Sequence, residues 1–71
     1  MEQKIEKQTV LLRRRDVEAR VALTRTALLK RVAKGMFPRP IKLGGTRTVR
    51  WVATEVDTWI AQQINQTRKG V

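Results

Sequence analysis

The sequence predicts a small α+β fold, mostly helical: two short helices joined by a tight turn, a two-stranded β-hairpin, then a C-terminal helix. Three observations predict it. Apolar residues recur at i, i+4 in two short segments, 16–21 and 25–34, separated by little more than Ala22-Leu23-Thr24. Both prolines and three of the four glycines then fall in one stretch, GMFPRPIKLGG at 35–45. Beyond it the apolar period shortens to two, and from Thr54 it returns to helical spacing.

Each element has a local reason. Residues 1–9 are polar and charge-balanced and read as a flexible arm. Val10-Leu11-Leu12 either pairs as a strand or packs under the first helix. That helix is read over 16–21, with Asp16 and Glu18 where negative charge suits the helix dipole and Val17 and Val21 on one face. Thr24 is a natural N-cap for the second helix, 25–34, whose Leu28 and Val32 share a face. Gly35 is the expected residue just past its end, because glycine takes positive φ at little cost. Pro38 and Pro40 push Phe37 and Arg39 into extended conformations. Ile41-Lys42-Leu43 and Thr46 to Trp51 alternate as strands around a Gly44-Gly45 turn. Thr54 opens the last helix, with Asp57 placed to complete a capping box. Val56, Trp59, Ile60 and Ile64 form its apolar stripe. Residues 10–66 thus read as one winged helix-turn-helix domain, and 67–71 as a polar tail. Trp51 and Trp59 sit on apolar faces, so both are expected in the core rather than as base-stacking platforms.

Composition narrows function. The 71 residues hold no cysteine and no histidine, which excludes a disulfide framework and a zinc site of the Cys/His kind. Catalysis would fall to six carboxylates, four of which look like helix-start residues (Asp16, Glu18, Glu55, Asp57). Gly44-Gly45 precedes a strand, not a helix, so it is no phosphate-cradling loop. No enzyme activity, cofactor or metal is expected. No apolar run approaches the roughly 20 residues that span a bilayer, and no signal-peptide pattern opens the chain, so a cytoplasmic location is expected.

Charge is the strongest functional signal. Twelve of the sixteen Lys/Arg lie in residues 11–52 against Asp16 and Glu18 alone, so this segment carries the whole net charge of +10. Such a field is the footprint of a polyanion binder. In a winged helix-turn-helix the second helix enters the major groove. Arg25, Thr26 and Lys30 are therefore the candidates for base or groove contact, with Lys34 at the helix end and Arg25 suited to guanine O6/N7. Leu29 either touches a thymine methyl or packs at the core edge. Arg13, Arg14 and Arg15 are candidates for the DNA backbone, or a solvated charge run. Lys42, Arg47 and Arg50 form the candidate wing contacts. Thr46 and Thr48 either bond phosphates or are simply strand formers.

The stretch LTRTALLKRVAKGMFPRPIKLGGTRTVRW at 23–51, followed by EVDTWI at 55–60, resembles the AlpA family of phage and prophage regulatory proteins. The G-x-FP-x-P-x-K-L-G core at 35–44, Trp51 and the E-V-D-x-W run carry the likeness, which covers about residues 11–64. The chain departs from the family pattern at Ala22, where glycine is usual, at Leu29, where an aromatic is usual, and at Arg14 and Arg31, where apolar residues are usual. The resemblance implies an excisionase-like, MerR-related winged-helix DNA binder. It implies transcriptional control of a mobile element, excisionase (recombination directionality factor) activity beside an integrase, or both. Double-stranded DNA is the expected partner, with cooperative self-association on repeated sites. The alternatives are an RNA-binding accessory protein and an integrase partner with no DNA affinity of its own.

Overall fold

The computed structural model describes residues 9–45 and 47–69. In chain order they form β1 (Leu11–Leu12), α1 (Arg14–Val21), α2 (Arg25–Ala33), β2 (Ile41–Lys42), β3 (Val49–Val52) and α3 (Ala53–Lys69). The expected arm lies outside the described residues except for Thr9; so do Thr46, Gly70 and Val71.

The helix pair forms for local reasons. Asp16 accepts a 3.0 Å hydrogen bond from the Arg13 N–H, satisfying a donor at the start of α1. The helix therefore begins at Arg14, two residues before the expected start, and takes Arg14 and Arg15 into its first turn. Ala22 ends it in the left-handed conformation, φ 55. Thr24 then caps α2: its Oγ1 accepts from the Ala27 N–H at 3.1 Å. At the other end Gly35 (φ 75) donates to the Val32 carbonyl at 3.1 Å, and Met36 to the Arg31 carbonyl at 2.8 Å. That pair of bonds is a Schellman motif, which needs a residue able to take positive φ at Gly35.

The sheet is antiparallel, ordered β1-β3-β2. Val10-Leu11-Leu12 takes the strand option: Leu11 opposes Val52 and Leu12 opposes Trp51. On the other side of β3, Ile41 opposes Arg50 and Lys42 opposes Val49. The wing is thus a three-stranded sheet rather than a hairpin alone. Its tip also differs from expectation. Leu43 still donates to the Thr48 carbonyl at 3.0 Å, but the strands end at Lys42 and resume at Val49, so Gly44-Gly45 turn inside a six-residue connection.

Leu12, Val17, Leu28, Phe37, Trp51, Ala53 and Val56 are buried together, with Val21, Leu23, Val32, Val49, Trp59 and Ile60 packed against them. Every element but β2 contributes a buried residue, and Phe37 brings in the linker after α2. Trp51 is buried as expected; its Nε1 donates to the Pro38 carbonyl at 2.9 Å. Trp59 is half-buried at the margin, its Nε1 donating to the Met36 carbonyl at 2.9 Å and its ring meeting Phe37 edge-on at 4.7 Å.

The last helix departs from expectation at both ends. It starts at Ala53, so Thr54 lies within its first turn and the Thr54–Asp57 capping box does not form. Asp57 instead accepts from Arg20 Nη1 at 2.7 Å, tying α3 to α1. The helix runs on through Thr67, Arg68 and Lys69, and its apolar stripe leaves the core after Ile60, with Ile64 exposed.

Candidate nucleic-acid interface

Burying Leu28 and leaning Val32 on the core fixes the rotation of α2, so its other face must meet solvent. On that face Arg25, Thr26, Leu29, Lys30 and Ala33 line one open, shallow depression. Arg25 and Leu29, and Thr26 and Lys30, are i, i+4 pairs on adjoining turns. Helix α2 carries no acidic residue. Among the described residues neither Arg25 nor Lys30 has an ion-pair partner; the two ion pairs found are Arg14–Glu18 and Arg20–Asp57. Lys34, at the C-cap, is exposed and outside the depression. Arg31 points elsewhere, its Nη1 donating to the Ala27 carbonyl at 3.2 Å.

Leu29 is 40 % exposed and belongs to no part of the core. The structure places Leu29 on the solvent-facing side of α2, beside Arg25 and Lys30. Ala33 joins the same depression without having been singled out in the sequence. The signal was available, since Ala33 follows Leu29 by four residues and Arg25 by eight.

The remaining cations form two further groups. Lys42 and Arg47 are exposed, on β2 and in the connection that follows it. Arg50 parts from them: with Val49 it joins Arg13, Arg14 and Arg15 around a second depression. Local sequence gave no sign of this, because it follows from β1 pairing with β3, which brings residue 12 beside residue 51. Within this group Arg14 is held by Glu18 at 2.8 Å and Arg50 Nη1 donates to the Val49 carbonyl at 2.8 Å. Arg13 and Arg15 are exposed, and neither enters an ion pair among the described residues.

The described residues hold no group of acidic residues that could hold a metal ion. No described helix is long and apolar enough to cross a membrane.

The chain matches the family model described as prophage CP4-57 regulatory protein (AlpA) over residues 10–64. It is also similar to the uncharacterized protein ORF88 of Enterobacteria phage P4, with 35 % identity over 48 residues, or 68 % of this chain. The chain spans about half, 53 %, of that relative's length. No solved structure matches it significantly. The family match takes in β1, both helices of the pair, the linker, the wing and most of α3, so the chain belongs to the AlpA family of phage regulatory proteins.

Proposed function

We propose that this protein is a sequence-specific double-stranded DNA-binding protein of a phage or integrative element, acting as a transcriptional regulator, an excisionase, or both. One observation carries the proposal: the exposed face of α2 gathers Arg25, Thr26, Leu29 and Lys30 in one depression free of acidic neighbours. A major groove about 12 Å wide admits one helix, and Arg is the side chain best matched to guanine O6/N7. Arg25 is assigned to a base edge, Thr26 and Lys30 to the groove, and Lys34 to the flanking backbone. Lys42 and Arg47 clamp the backbone or the adjacent minor groove. Arg13, Arg15 and Arg50 hold a phosphate at the start of α1, while Arg14 is occupied by Glu18. Backbone contacts of this kind set register and orientation, and base contacts set sequence.

Phe37 and Trp51 are buried and Trp59 is half-buried, packed against Phe37 and bonded to the linker, so no described aromatic stands fully exposed for stacking on unpaired bases, which weighs against the RNA-binding alternative. The decisive measurement is a salt titration on duplex DNA. If about six phosphates are neutralised, log K falls with log[salt] at a slope of roughly −5. A slope near zero would remove the proposal and favour an adaptor that binds an integrase alone. Footprinting on attachment-site and promoter DNA then separates excisionase from regulator.

A further inference from the structure

We infer that Leu29 is a specificity-determining residue that reads the C5-methyl group of a thymine in the major groove, within two base pairs of the guanine taken by Arg25. The inference rests on the DNA-binding proposal above and adds to it what the site must contain. A lone exposed leucine needs no explanation. This one is placed among cations. Arg25 and Lys30 flank it, and Ala33, one turn on, leaves the floor of the depression open. Its neighbour Leu28 is fully buried, so the backbone cannot rotate to hide Leu29 without exposing the core.

Two occupants compete for an apolar spot in such a setting. A second copy of this chain would bring another +10 against a face that carries no acid, so repulsion opposes it. A duplex draws Arg25 and Lys30 in by its negative field, and the apolar group it displays on a base edge in its major groove is the thymine methyl. The spacing also fits. Four helical residues rise about 6 Å, just under two base-pair steps of about 3.4 Å. Arg25 and Leu29 therefore reach bases one or two steps apart when the helix axis follows the groove.

The test starts from a random-sequence duplex library, enriched by binding to the full chain. In the enriched duplex each thymine is replaced in turn by deoxyuridine, which removes that methyl alone. At one position, one or two steps from a guanine, affinity is expected to fall about four-fold, the equivalent of exposing one methyl group to water. The Leu29→Ala variant is expected to bind the thymine and deoxyuridine duplexes equally while keeping the wild-type salt slope and helical content. Alanine is the better helix former, so the variant folds. A specifically bound duplex in which no deoxyuridine weakens binding overturns the inference and leaves the DNA-binding proposal standing. So does a penalty that Leu29→Ala leaves unchanged. Failure to enrich any duplex, with a salt slope near zero, removes both.

Discussion

Ala22 is the one non-glycine residue with positive φ among the described residues, at 55°. The left-handed region costs an L-residue about 1–2 kcal/mol, and glycine gives back about 0.5–1 kcal/mol through the greater freedom of its unfolded chain. Ala22→Gly is therefore expected to stabilise the fold by about 0.5–1 kcal/mol and to raise Tm by a few degrees, measured by thermal melting. A lowered Tm would show that the turn carries no such strain. Single cations divide by what they can read. Arg25→Ala is expected to cost about 1–3 kcal/mol on the specific duplex and much less on random DNA. Arg47→Ala is expected to weaken both alike and reduce the salt slope by about one. Equal losses from Arg25→Ala on the two duplexes would demote it to a phosphate contact.

The element that sets the wing's position is the linker between Gly35 and Pro40, and two indoles hold it. Trp59 bonds the Met36 carbonyl, Trp51 bonds the Pro38 carbonyl, and Phe37 lies between them in the core. Trp59→Phe keeps the apolar ring and loses the hydrogen bond, at about 1 kcal/mol. Trp59→Ala loses the ring as well, at about 3 kcal/mol. Chemical denaturation should rank the two in that order, and equal costs would mean that the ring's contact with Phe37 contributes little. That the chain leaves the helix after α2 without continuing it was legible in the sequence, because Pro38 and Pro40 act on their immediate neighbours. So were the Thr24 cap and the Gly35 stop, which are decided within four residues. Partners far along the chain were not legible. Asp57 sits at capping-box distance from Thr54, yet Arg20, 37 residues away, takes its carboxylate. Strand pairing likewise brings Arg50 to the Arg13–Arg15 group, where side-chain alternation had placed it with Lys42 and Arg47. The exposed face of α2 was legible because a single helix with its apolar side buried determines its opposite side.

The whole molecule carries its +10 on a small body, and the excess lies within the folded segment. Folding brings these cations together, while the two described ion pairs are exposed or half-buried and each is worth at most about 1 kcal/mol. Added salt therefore acts on two balances in opposite directions. It shortens the screening length from about 30 Å at 0.01 M to about 8 Å at 0.15 M, which relieves repulsion among the cations more than it weakens the pairs. The same salt removes the gain from counterion release on DNA. Tm of the free protein is thus expected to rise between about 0.05 and 0.5 M NaCl, over the range where duplex affinity falls by about 10⁵-fold for a slope of −5. At low salt, saturating duplex should raise Tm further by mass action, and that increment should vanish at the upper end of the range. A free-protein Tm that falls with salt would mean that ion pairing, not repulsion, dominates the fold, and the cations would then be structural rather than held out for a polyanion.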